Sequence, residues 1–206
     1  MPSSSAYSRV TPARPVGAKA TYNQVSRWYD WVAGPFERRL VRAGVDMLDV
    51  RGGERVLEVG FGTGNALVML ARRVGDAGRV NGVDISDGMS AVARVKVRRN
   101  GLSNRVELTC DDIQSVTLDR ERFDAVFMAF TLELFDPTEM DIVLRRCRQA
   151  LKAGGRICVV ALSATEKPGV VERLYTWAHA LFPHFIDCRP IAVRRTLARA
   201  GFDAGH

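Results

Sequence analysis

The sequence predicts an α/β fold, a doubly wound parallel sheet with helices on both faces, and three observations predict it. Short apolar runs of strand length alternate with longer stretches of helical period. The first run ends in an acid followed by three glycines at alternate positions, Glu58-Val59-Gly60-Phe61-Gly62-Thr63-Gly64. A second acid, Asp84, closes the next run about 20 residues further on, where such a sheet places a carboxylate for a ribose.

The elements follow in order. Residues 1–20 are rich in Ser, Pro and Ala without periodicity and are expected to be disordered, with 21–206 forming one domain. Residues 21–50 read as a helical cap, in which Tyr22, Trp28, Tyr29 and Trp31 cluster and Phe36, Leu40, Gly44 and Met47 mark a helix face. A strand over 55–59 breaks at the glycines into a helix over 65–74, stopped by Gly75 and Gly78. A strand over 79–84 leads through Ser86 or Asp87, either of which can cap, into a helix over 87–100 that ends at Asn100-Gly101. A third strand over 106–110 is followed by Asp111, Asp112 and Ile113.

The run 123–130 is almost continuously apolar, which predicts an interior strand covered on both faces. Asp136-Pro137 starts a helix with Met140, Val143, Leu144, Cys147 and Leu151 on its apolar face. Lys152 to Gly155 stop it, and 156–161 form the fifth strand. Beyond it an extra apolar helix over 169–182 is a candidate lid, and 191–200 form a last helix. Gly201-Phe202 reads as the entry to a further strand, yet the sequence stops at His206, which would leave an open sheet edge for a second copy of the chain to cover as a homodimer.

Composition narrows the function classes. The 206 residues, 47% apolar and 26% charged, suit one globular domain. No apolar run is long enough to span a bilayer and the first residues carry no apolar signal core, so a cytoplasmic location is expected. The net charge of +7 gathers on predicted helices, at 94–99, 145–148 and 194–199, without interleaved aromatics, so nucleic acid is not an expected partner. The four cysteines are too widely spaced for a metal site and read as reduced core residues.

The glycine spacing discriminates between cofactors. A dinucleotide fingerprint is G-x-G-x-x-G, and here Asn65 stands where its third glycine belongs, which weakens a nicotinamide-dependent oxidoreductase. Glu58-x-Gly60-x-Gly62-x-Gly64, with Asp84, Asp112, the 123–130 strand and the Leu151 to Arg156 segment, instead resembles the class I S-adenosylmethionine-dependent methyltransferases. Tyr22-x-x-Val-Ser-x-x-Tyr29-Asp30 resembles, within that class, the ubiquinone/menaquinone-biosynthesis C-methyltransferases and their small-molecule and lipid relatives.

The resemblance implies a Rossmann-like sheet of order 3-2-1-4-5, with strands 6 and 7 missing from the sequence. It implies S-adenosyl-L-methionine as cofactor, held by Tyr22, Glu58, Gly60, Gly62, Gly64, Asp84, Ile85, Asp112, Ile113 and Phe130. Asp84 would take the ribose, Asp112 and the Ile113 backbone the adenine, and Tyr22 the methionine end. The implied acceptor is a small aromatic, quinol or lipid-like molecule. An activated methyl group needs positioning more than acid–base help, so no metal or nucleophilic triad is required. If a base is used, Glu133 and His179 are the candidates. A catalytically inactive S-adenosylmethionine-binding subunit lacking the terminal strands is the alternative.

Overall fold

The computed structural model describes residues 34–161 and 191–203, which apart from Gly34 fall within one compact unit, Pro35–His206. The expectations for Tyr22, for His179 and for the lid over 169–182 lie outside the described residues.

A helix, α1 (Gly34–Met47), precedes β1 (Arg55–Val59), α2 (Asn65–Val74), β2 (Arg79–Asp84), α3 (Asp87–Arg99) and β3 (Val106–Cys110). There follow β4 (Phe123–Ala129), a single 3-10 turn (Leu132–Leu134), α4 (Pro137–Ala150), β5 (Leu151–Val160) and α5 (Val193–Arg199). The five strands form one sheet of order β3-β2-β1-β4-β5, all pairs parallel. The expected topology is therefore the observed one.

Each helix boundary has a local cause. Ser86 Oγ accepts from the Met89 amide at 3.3 Å and caps α3, whose far end passes into Gly101 at φ 69°. Before α4, the Glu139 carboxylate accepts from the Asp136 amide at 2.9 Å, and Pro137 takes the first helical position where no amide partner is needed.

Two cores close the faces. On one side Val41 and Val45 of α1, Leu48 just beyond it, the apolar stripe of α2, and Ala93 and Val97 of α3 pack on Val56, Val80, Ala125 and Phe127. On the other, Met140, Val143, Leu144 and Cys147 of α4, with Ala200 after α5, pack on Leu57, Val59, Val126 and Met128. Each fully buried side chain of this size contributes about 1.5–3 kcal/mol, so the two layers hold the strand ends, and the loops leaving them, in place. Cys110, Cys147 and Cys158 are free thiols, and burial pushes Cys147 up to about 12.

Two sequence expectations are corrected. Met47 is 73% exposed, because the buried stripe runs through Val41, Gly44, Val45 and Leu48, so that of the expected face Gly44 is kept and Met47 is not. At Gly44 an added Cβ would stand 3.2 Å from the Phe127 ring, so the glycine sets how closely α1 lies. The fifth strand begins at Leu151, not Arg156: Leu151 pairs with Phe123, Arg156 pairs with Ala125, and the extra residues between them are taken up in an irregularity at Gly154, φ 75°.

Arg156 then fastens the layers. It donates to the Leu48 and Asp49 carbonyls at 2.6 and 2.5 Å and to both Glu54 carboxylate oxygens at 3.0 and 2.7 Å. The guanidinium holds the Glu54 carboxyl below its ordinary value.

Candidate functional site

The carboxyl ends of β1, β2, β3 and β4 converge on one edge of the sheet, where open α/β folds bind ligands. Gly60, Gly62 and Gly64 leave β1 with φ of 72°, 51° and 79°, so all three alternate glycines occupy the left-handed region. Gly60 also has no room for a side chain, since a Cβ there would collide with Thr131 at the end of β4. Thr131 Oγ1 donates to the Ala129 carbonyl at 2.9 Å and is buried against the loop.

Asp84 ties the second strand end to the first. Its Oδ2 accepts from the Gly62 amide at 2.7 Å and its Oδ1 from the Ser86 amide at 2.9 Å. Each oxygen keeps a further lone pair for a ligand. The Asp84 carbonyl accepts from the Asp111 amide at 3.0 Å, which brings the third strand end alongside. There Asp112 Oδ1 accepts from the Gln114 amide at 2.8 Å, a local turn that fixes the carboxylate. Ile113 sends its side chain into the core, leaving its backbone as the part near the edge. Ile85, by contrast, is 67% exposed beside Asp84.

Glu58 lies beneath the glycine loop, 3% exposed, and its Oε2 has no hydrogen-bond partner among the described residues. Burial, reinforced by the Asp84 charge, raises its carboxyl well above the ordinary value. A buried acid with a carboxylate oxygen left open under a backbone cradle, among the described residues, suits a ligand that brings a cation or a donor to it.

The end of β4 supplies the remaining wall. Phe130 has φ 52°, a strained conformation for a non-glycine residue, held by its amide donating to the Val160 carbonyl at 2.7 Å. Glu133 is 2% exposed within the 3-10 turn, while Leu134 next to it is 58% exposed.

Sequence reasoning thus named the residues of the four strand ends that the structure gathers, with Tyr22 and His179 outside the described residues. It passed over Thr131 and Lys96. Thr131 could have been found as the first polar residue after the apolar 123–130 run. Lys96 reaches from α3 to Asn65 Oδ1 at 2.7 Å and Thr63 Oγ1 at 3.3 Å, steadying the loop from outside, and only the three-dimensional packing of α3 on α2 reveals it.

The fold and this edge define a class, and comparison with known proteins agrees. Residues 56–155 match the methyltransferase domain family, and the five-stranded sheet of order 3-2-1-4-5 has the Rossmann-like fold of S-adenosylmethionine-dependent methyltransferases of known structure. The chain is 32% identical, over 146 residues, to the ubiquinone/menaquinone biosynthesis C-methyltransferase UbiE of Teredinibacter turnerae. That match covers 71% of this chain and 57% of the relative, so the chain spans little more than half the length of that protein.

Among solved structures, a SAM-dependent methyltransferase from Aquifex aeolicus superposes with a TM-score of 0.64 at 23% identity, covering 81% of each chain. The [4+2]-cyclase SpnF superposes with the same TM-score, 0.64, at 28% identity, covering 80% of this chain and 56% of the other.

Proposed function

We propose that the chain transfers the methyl group of S-adenosyl-L-methionine to a small acceptor of aromatic, quinol or lipid-like kind. One observation carries the reading: a buried Glu58 carboxyl, whose Oε2 has no partner among the described residues, lies under a left-handed glycine loop whose middle amide is bound by Asp84. A ligand with a cationic amine and a ribose diol matches that pairing of groups. The quinol class comes from the UbiE relative, a ubiquinone/menaquinone biosynthesis C-methyltransferase.

In this reading the Gly60 to Gly64 backbone admits the cofactor, the free lone pairs of Asp84 accept from the ribose hydroxyls, and Asp112 with the Ile113 amide takes the adenine edge. Exposed Ile85 covers the adenine face, and Phe130 closes the methionine end above Glu58, with Tyr22 as a further wall. The cofactor supplies an activated methyl group. The chain's own task is to align an acceptor atom with it and exclude water. Glu133, in the 3-10 turn after β4, would take a proton from a hydroxyl acceptor, with His179 as the other candidate.

A second reading has its own support, since the same fold, at 28% identity, occurs in a [4+2]-cyclase. There the chain binds the cofactor and transfers no methyl group. Incubation with methyl-labelled cofactor and a panel of naphthoquinols, phenols and isoprenoid lipids separates the two. Label in an extracted product, lost in Asp84→Ala, supports transfer. Tight cofactor binding with no labelled product from any acceptor favours the second reading.

A further inference from the structure

The sheet face that carries α4 and α5 is closed over β4, β5 and the carboxyl halves of β1 and β2, where Leu57, Val59 and Val83 are buried. The connection from β3 to β4, residues 111–122, contains no helix, so the β2–β3 part of that face has no helical cover among the described residues. The strand sequences match this opening. The register pairs Arg55 with Arg79 and Asn81 with Glu107, which puts all four on the uncovered side, where a doubly wound sheet otherwise carries apolar residues. The opposite side of the same strands bears Val80 and Leu108 and packs normally.

The opening is a cavity of about 550 Å³, with Arg55, Arg79, Arg94, Arg122, Asn81 and Glu107 in its lining. Its charge is net positive, four arginines against one acid, Glu107. Among the described residues Arg122 pairs with Asp119, but no carboxylate pairs with Arg55, Arg79 or Arg94. Backbone carbonyls hold two of these heads instead: Arg79 donates to Asp76 and Gly78 at 2.9 and 2.6 Å, and Arg94 to Leu108 at 3.0 Å. Such partners fix a guanidinium without neutralising it. Asn81 Nδ2 donates to Glu107 at 2.7 Å, which engages the one acid of the lining. Concave walls with an excess of one sign focus the potential, and ordered guanidinium forks match phosphate oxygens.

We propose that this cavity binds a phosphate-bearing ligand, supplied either as a free phosphorylated molecule or as a lipid headgroup. It is separate from the strand-end site. Arg55 and Arg79 are the first residues of β1 and β2, whereas the glycine loop follows the last residue of β1. A strand of that length puts roughly 15 Å between them.

The test is calorimetric titration of the full chain with sodium pyrophosphate at low ionic strength, for the wild type and for Arg55→Gln/Arg79→Gln. Saturable binding in the wild type, weakened about tenfold or more in the double variant, is expected, with S-adenosylhomocysteine affinity and melting temperature unchanged. No saturable heat in the wild type up to about 10 mM, or binding that the double variant keeps, overturns the proposal. Arg94→Gln gives an independent variant should the double one fail to fold, with the same expected loss. Co-sedimentation with phosphatidylglycerol vesicles, against phosphatidylcholine, distinguishes the sources: retention lost in the variant assigns a lipid headgroup, and pyrophosphate binding without retention assigns a free molecule.

Discussion

Glu58 is the residue at which stability and the candidate site conflict most directly. Its carboxyl is buried without a partner for Oε2 among the described residues, and its folded-state value is raised, by burial first and by Asp84 second. A raised acid value means that, above the ordinary 4.5, the folded protein holds a proton the unfolded chain has released. Stability is therefore fullest below that value and falls as pH rises, until the folded carboxyl also ionises.

One proton of difference gives a slope of about 1.4 kcal/mol per pH unit within that window. For a chain of this size that is roughly 3–6 °C of melting temperature per unit. Glu58→Gln keeps the shape and removes the titration. Thermal melts of both proteins in steps from pH 4.5 to 8.5, at constant ionic strength, should show the wild type losing ground to the variant as pH rises. A wild-type-minus-variant difference that stays flat across the range would refute the assignment, because an exposed or fully paired carboxyl predicts no slope.

Three other substitutions probe the same edge and the frame behind it. Asp84→Ala should weaken S-adenosylhomocysteine binding about tenfold or more by calorimetry, since it removes a charged acceptor and releases the Gly62 amide; an unchanged dissociation constant refutes the ribose role. Gly60→Ala combines a left-handed backbone with a collision on Thr131 and should cost about 2 kcal/mol or more in urea denaturation, with part of the loss recovered by adding Thr131→Ala. Strict additivity of the two would show that the contact is not the cause. Arg156→Gln should destabilise by about 2 kcal/mol at neutral pH, with a smaller effect on acidification. The Glu54 value is lowered when folded, so its share is present above 4.5 and is lost as pH falls through the lower value; an effect that grows in acid would contradict this.

The parts legible in the sequence are those where local chemistry leaves one solution. Alternate glycines after an apolar strand are needed because all three positions have positive φ, and Asp84 is fixed by standing at the next strand end. Ser86 as a cap and Pro137 at the first position of α4 are local in the same way. What was not legible depends on partners distant in sequence. Leu151 is drawn into β5 by Phe123, and nothing in the Lys152 to Gly155 segment announces it. In α1 two apolar rows compete, and the sheet, through the gap at Gly44, selects the one with Val41 and Val45. The left-handed Phe130 and the loop contact of Lys96 likewise follow from packing alone.

The measurement closest to the heart of the matter is calorimetric titration of the purified chain with S-adenosylhomocysteine, run in parallel with NAD. One-to-one binding of the first, with no heat from the second, is the predicted result for a site in which Asn65 replaces the glycine that a dinucleotide requires. Heat from NAD alone, or from neither ligand, would contradict the reading of the Glu58 to Gly64 edge as an S-adenosylmethionine site.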